Sequence, residues 1–182
     1  MSVLECIRTR RAIRDFEERQ VPEEVLRAIL EAGRLAPSAR NTQPWEFIVI
    51  RAPERLTQLS RLTSTGPHLT KAPLAVAVAM LKARYPEVDA ARAIQNMILV
   101  AWEHGVGSCW IGNWDAEKAK ALLGLPADSL LIAVVPFGYP REGTRVARKK
   151  QRRPLHTLVH REAYGTPYYK EGAGAGTPRG GS

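Results

Sequence analysis

The chain has 182 residues, 45% hydrophobic and 25% charged, a composition that suits one ordinary globular domain and excludes a disordered or fibrous one. Its 27 Lys and Arg against 18 Asp and Glu give a net charge of +9, and two windows hold all of it: Arg8, Arg10, Arg11 and Arg14 against Glu5 (+3) in residues 1–14, and seven cations against Glu142 (+6) in residues 141–153. The longest apolar run, Leu74 to Leu81, falls well short of the ~20 residues of a membrane helix, and charged residues stand where a signal peptide has its apolar core, so a soluble, cytoplasmic chain without a membrane partner is expected.

Ser2-Val3-Leu4-Glu5 has the form of a capping box, which predicts a short helix from Val3 to about Thr9. Arg8 to Phe16 has no clean period and reads as a basic, partly extended loop. Pro22-Glu23-Glu24 opens a second helix with the stripe Val25, Leu26, Ile29, Leu30, Gly33, ending near Leu35. Pro37 to Trp45 is a proline-bounded loop leading into a strand from Glu46 to Ile50. A helix follows from Pro53 with Leu56, Leu59 and Leu62 on one side, then an irregular stretch from Ser64 to Pro73 and a buried strand from Leu74 to Met80. From Val88 to about His104 apolar residues surround the helix on most sides, so it must be covered on more than one face, with a subunit interface as the second cover. Gly105-Val106-Gly107 ends it and leads to a strand from Ser108 to Ile111. Asp115 caps a helix closing at Leu122-Leu123-Gly124, with the glycine just past its end. A buried strand from Leu130 to Phe137, a basic loop from Gly138 to Arg153, a last helix from Pro154 to Arg161 and a glycine-rich tail complete the chain. The fold class is α+β with a central sheet.

Several kinds of chemistry have no support. No G-x-G-x-x-G, Walker or G-x-S-x-G motif is present. Cys6 and Cys109 are too few and too far apart for a disulfide framework or a metal spacing, and read as buried reduced thiols. His156 and His160 sit four apart but have no third ligand nearby, so no metal is expected. The basic loop Arg145 to Arg153 contains no aromatic residue, which argues against a single-stranded nucleic-acid platform. A solvated charge run and a compact phosphate site remain open for it.

Order and spacing of five segments decide between them. Arg10-Arg11-Ala12-Ile13-Arg14, Ala36-Pro37-Ser38-Ala39-Arg40-Asn41-Thr42-Gln43-Pro44-Trp45, Gly105 to Trp114, Phe137-Gly138-Tyr139-Pro140 and the basic loop together resemble the flavin-dependent nitroreductase family over residues 3–161. The resemblance implies an intertwined α+β homodimer with a mixed or antiparallel sheet and FMN at the subunit interface. Residues 1–165 would form a single FMN-binding domain, and residues 166–182 a tail. Arg10, Arg11 and Ala12 would lie by the phosphate and ribityl chain, and Arg14 near N1 and O2 of the ring, where a fixed cation stabilises the charge of the reduced flavin. Pro37, Ser38 and Asn41 match the loop that reaches the flavin of the other subunit. Ile111, Gly112 and Asn113 match the turn whose backbone N–H groups approach N5 and O4. Arg152 and Arg153 would close the phosphate site within the stretch Lys149 to Arg153. Two positions depart from the family: Ala12 stands where serine is common, and Asn113 where a second glycine is frequent. Trp45, Trp102, Trp110 and Trp114 are mostly expected in the core.

The implied function is an FMN-dependent oxidoreductase that takes hydride from NAD(P)H and reduces a small electron-poor acceptor, a nitroaromatic or quinone, by a ping-pong mechanism needing no protein nucleophile or general base. The short stretch from Leu62 to Asp89 implies an open substrate site rather than a lidded one. A different FMN reaction in the same fold, dehydrogenation or flavin cleavage, is the alternative. A basic nucleic-acid-binding module is the rival from another class.

Overall fold

A computed structural model of the chain describes residues 1–144 and 151–169, which fall into two compact units, Met1–Arg145 and Val146–Ser182. The first unit is built on a four-stranded antiparallel sheet in the order β1-β2-β4-β3. The strands are β1 (Trp45–Ile50), β2 (Leu74–Met80), β3 (Gly107–Ser108) and β4 (Leu130–Gly138). Every residue of β2 is buried, because the sheet is covered on both faces. Leu74, Val76, Val78 and Met80 point into one core with α2 (Glu23–Arg34) and α4 (Pro86–Glu103). Ala75 and Ala77 point into a second core with α3 (Pro53–Ser60) and α5 (Ala116–Leu123). A strand buried on both faces reads as a continuous apolar run, as this one does in the sequence.

Helix boundaries follow the capping chemistry. Ser2 accepts the Glu5 N–H at 3.2 Å to start α1 (Val3–Thr9). Asp115 accepts the Lys118 N–H at 3.3 Å to start α5, and Gly124 ends it at φ 68°. In α2 the buried face is Val25, Leu26, Ile29 and Gly33, and the missing side chain at Gly33 lets α4 approach. A Cβ there would lie 2.9 Å from Cγ and Sδ of Met97.

Several expectations are corrected. α3 ends at Ser60, leaving Leu62 beyond it, and Ser64–Pro73 holds a 3₁₀ turn over Pro67–Lys71. α4 begins at Pro86, with proline in its first turn. The expected strand Ser108–Ile111 pairs only over Gly107–Ser108, with a separate bridge at Ile111 to Val134. In the second unit, Pro154–Arg161 holds only a 3₁₀ turn over Leu155–Thr157. Trp45 and Trp102 are in the core, whereas Trp110 is 41% exposed. Among the described residues no helix is long and apolar enough to cross a membrane. Both cysteines are buried and unpaired.

The loop after α1 is fixed by one close approach. Ala12 bridges Ser108 in parallel register, and the Ile13 N–H donates to the Ser108 carbonyl at 2.9 Å. Ile13 is buried directly over Gly107, where a Cβ would stand 2.5 Å from its Cγ1 and 2.8 Å from its Cβ. Neither atom is a flexible tip, so a side chain at 107 must displace the loop. Gly107→Ala is expected to cost about 1–3 kcal/mol by overpacking, read as a fall in the thermal unfolding midpoint. An unchanged midpoint would show that Ile13 yields without loss.

Candidate functional site

Burying Ile13 turns its neighbours outward, so Ala12 and Arg14 are exposed on the same side of the extended segment. From there the Arg14 side chain comes within hydrogen-bond reach of the Cys109 thiol and acts electrostatically on His68. Among the described residues no carboxylate pairs with Arg14. The adjacent Asp15 serves other cations, Lys71 Nζ at 3.4 Å and Arg141 Nε at 3.4 Å. Arg14 thus keeps an uncompensated positive charge beside a buried, neutral thiol.

His68 carries no mark in the sequence. It sits in the 3₁₀ turn Pro67–Lys71, is 6% exposed, and its buried Nε2 has no hydrogen-bond partner among the described residues. Burial first, then the charges of Arg14 and Lys71, push its pKa below the ordinary histidine value. For Cys109, burial pushes the thiol up and Arg14 only partly offsets this. Both groups are therefore neutral near pH 7, and neither is an activated nucleophile.

The turn after Cys109 carries free donors. Ile111 is pinned by N–H···O=C bonds exchanged with Val134 at 3.2 and 3.0 Å, and its carbonyl accepts the Trp114 indole N–H at 2.8 Å. Gly112 and Asn113 are exposed, and neither backbone N–H has a partner among the described residues. Neither has a positive φ, so Asn113 holds this turn without needing glycine. Its side chain donates to Ser64 Oγ at 3.2 Å. The 3₁₀ turn meets this region as well, since a Cβ on Gly66 would lie 3.2 Å from Cδ1 of Ile111. Ala12, Arg14, His68, Cys109 and Ile111–Asn113 are thereby gathered at one end of the sheet. Arg10 and Arg11, both half-buried, precede them on the same segment.

Pro37, Ser38 and Asn41 are elsewhere. The Ala39 N–H donates to both carboxylate oxygens of Asp89, at 3.1 and 3.3 Å, near the start of α4. Thr9, by contrast, accepts the Trp102 indole N–H at 2.9 Å near its end. Thirteen residues separate Asp89 from Trp102, or roughly 20 Å at 1.5 Å per residue. One chain therefore does not bring this loop to the Arg14 cluster. The Asn41 side chain is exposed and makes no hydrogen bond among the described residues.

Arg152 and Arg153 belong to the second unit and are exposed. They donate to the Gln151 carbonyl at 2.9 Å and the Thr157 carbonyl at 3.1 Å. Lys149, Lys150 and the rest of the basic loop from Arg145 lie outside the described residues. His156 and His160 have no metal-binding company: no group of three or more His, Cys, Asp or Glu suited to a metal exists among the described residues.

His68 gives a pH signature. An unfolded chain takes up its proton as pH falls below about 6.5, while the folded chain, with its lowered pKa, resists. Stability is therefore lost as pH falls from the ordinary histidine range toward the folded value. The urea midpoint should drop more between pH 7 and 5 in the wild type than in His68→Leu. Equal slopes would mean that His68 is not held neutral by the fold.

Comparison with known proteins gives this site a lineage. The nitroreductase family model matches residues 7–80 and 62–139. A candidate NADH dehydrogenase/NAD(P)H nitroreductase of Archaeoglobus fulgidus is 38% identical over 149 residues, covering 76% of this chain and 86% of the relative. The NADH dehydrogenase of Thermus thermophilus is 31% identical over 172 residues, covering 73% and 84%. The structure of an FMN-dependent nitroreductase from Clostridium difficile superposes with TM-score 0.79 at 29% identity, covering 88% of this chain and 99% of that one. With the antiparallel sheet, the pinned arginine segment and the donor turn all lying inside the matched span, the chain belongs to the nitroreductase family.

Proposed function

We propose that the protein is an FMN-dependent oxidoreductase of the cytoplasm that takes hydride from NAD(P)H and passes it to an electron-poor acceptor such as a nitroaromatic or quinone. Both half-reactions would use one site, in ping-pong order. The observation that carries the reading is the uncompensated Arg14 guanidinium at the Cys109 thiol, with the two unspent N–H donors of Gly112 and Asn113 in the turn that follows that cysteine. A flavin ring that gathers negative charge on reduction needs a fixed cation and a row of donors, and these residues supply both. The orphaned His68 Nε2 adds a further polar group at this end of the sheet. The similarity to an NAD(P)H nitroreductase, to an NADH dehydrogenase and to the FMN-dependent nitroreductase of C. difficile supports the same reading.

When bound, FMN would supply the two-electron chemistry, which leaves binding and electrostatics to the protein. Arg14 would balance the charge of the reduced ring, Gly112 and Asn113 would donate to it, and Ile111 would hold their turn. Arg10, Arg11 and Ala12 are assigned to the phosphate and ribityl chain, and Arg152 and Arg153 to the phosphate. The neutral states of Cys109 and His68 suit a site without a protein nucleophile. In this reading residues 1–165 are the FMN-binding domain and 166–182 its tail.

The active form would be a homodimer. Pro37, Ser38 and Asn41 can join an Arg14 cluster only if a second copy brings the loop across, given the length of α4. Apolar surface for such a contact exists: Val3, Leu4 and Ile7 on α1 and Val88 on α4 are exposed. Beside the loop, a cleft of about 680 Å³ is lined by Pro37, Val88, Ala91 and Gln95.

The purified protein should show flavin absorption that NADH or NADPH bleaches anaerobically; no bleaching by either would overturn the reading. Loss of a charged hydrogen bond is worth about 1.5–3 kcal/mol, so Arg14→Ala should raise the FMN dissociation constant about tenfold or more and slow bleaching. The double variant Arg152→Ala, Arg153→Ala should weaken FMN binding with little effect on bleaching of the loaded enzyme. Wild-type affinity in both variants would refute these assignments.

A further inference from the structure

The loop from Ser38 to Gln43 holds an improbable backbone. Arg40, Asn41 and Gln43 all lie in the left-handed region, at φ 54°, 57° and 48°, where side chains are disfavoured and glycine would be the easy choice. Such a run persists only where surrounding contacts over-determine it. Inside the loop, the Gln43 N–H donates to Ser38 Oγ at 2.9 Å and the Asn41 N–H to the Ser38 carbonyl at 3.0 Å. The Thr42 N–H and hydroxyl donate to the Ala39 carbonyl at 3.2 and 3.1 Å. All of these are local bonds, and they tie the loop to itself rather than to the fold.

The tie to the fold is Asp89. It is 1% exposed, an unusual place for a carboxylate, and a buried charge must be paired to persist. Both of its oxygens accept the Ala39 N–H, and Oδ1 also meets Arg92 Nη1 at 3.2 Å. Asp89 lies near the N-terminus of α4, a rigid helix packed on the sheet. The carboxylate therefore joins a strained loop to one of the most fixed elements of the protein. No part of the proposed chemistry uses Asp89 directly, since it is fully covered.

We infer that Asp89 is a positioning residue for FMN: by gripping the Ala39 N–H it holds the left-handed run in the shape from which Ser38 and Asn41 reach the cofactor of a second copy. This rests on the function proposed above. Arg92 neutralises the grip from the solvent side and keeps the carboxylate aimed at the loop.

Two variants cut the same bond from opposite sides. Asp89→Ala removes the acceptor. Ala39→Pro removes the donor and leaves the Asp89–Arg92 pair, and Ser38 already has the extended backbone, φ −127° and ψ 160°, that readily precedes a proline. Asp89→Asn keeps an oxygen for the Ala39 N–H and serves as the conservative rescue. Each is followed by thermal unfolding, by amide deuterium uptake across residues 39–43 in the apoprotein, and by FMN titration. Asp89→Ala and Ala39→Pro should exchange at 39–43 at least tenfold faster than wild type and raise the FMN dissociation constant at least tenfold. Exchange across α2 and the second half of α4 should stay slow, and Asp89→Asn should fall between. If Asp89→Ala does not fold, Ala39→Pro and Asp89→Asn decide. Faster loop exchange with unchanged FMN affinity overturns the positioning role, as does wild-type exchange in folded Ala39→Pro. A wild-type protein that binds no FMN instead overturns the proposed function, and the exchange rates then still report whether Asp89 grips the loop.

Discussion

The rigid length of α4 is the constraint on which the rest of the structure turns. Near its start, Asp89 holds the loop from Ser38 to Gln43; near its end, Trp102 bonds to Thr9, just ahead of the arginine segment. A helix packed along the fully buried strand β2 cannot bend to bring its ends together. The two groups of polar residues that stand among the most distinctive motifs of the sequence are thus held apart within one chain. Joining them in the proposed cofactor site would take a second chain, for which the exposed apolar residues of α1 and α4 offer surface.

At the end of the sheet where Arg14 lies, charge is arranged by exclusion. Asp15, the nearest carboxylate in sequence, is occupied by Lys71 and Arg141, and His68 and Cys109 are held neutral by burial. Arg14 is left facing outward with its charge unmatched. The total of +9 says little by itself, because most surface cations are solvated and weakly coupled. What matters is that this one is fixed by Ile13 stacked over Gly107 and has no competing anion among the described residues.

Much of the fold was legible because its signals are local. Ser2 and Asp115 cap helices by bonds to backbone three residues on, Gly124 ends one in the left-handed form, and β2 declares its double burial by an unbroken apolar run. The misses share a different cause. His68 has no neighbour in sequence to mark it; only the packing of a 3₁₀ turn against Ile111 and the proximity of Arg14 bring it into the site. Asp89 has nothing beside it in sequence to mark it, and its partner, the Ala39 N–H, lies fifty positions away. Trp110 reads as core from its apolar surroundings, yet the strand expected there pairs only at Gly107–Ser108 and turns the indole out. Motif resemblance named the candidate residues, but which of them share one chain's site could come only from three-dimensional placement.

The claim that one cofactor site draws on two chains is tested most directly by subunit complementation. One chain carries Arg14→Ala with an intact loop; the other carries Ser38→Ala and Asn41→Ala with an intact arginine segment. In a mixed dimer purified through two different tags, a shared site pairs the intact Arg14 of one chain with the intact loop of the other and leaves the second site doubly damaged. Wild-type FMN affinity at one site per mixed dimer is the predicted result. Should each site lie within a single chain, every site in the mixture keeps one defect, and no wild-type affinity would return.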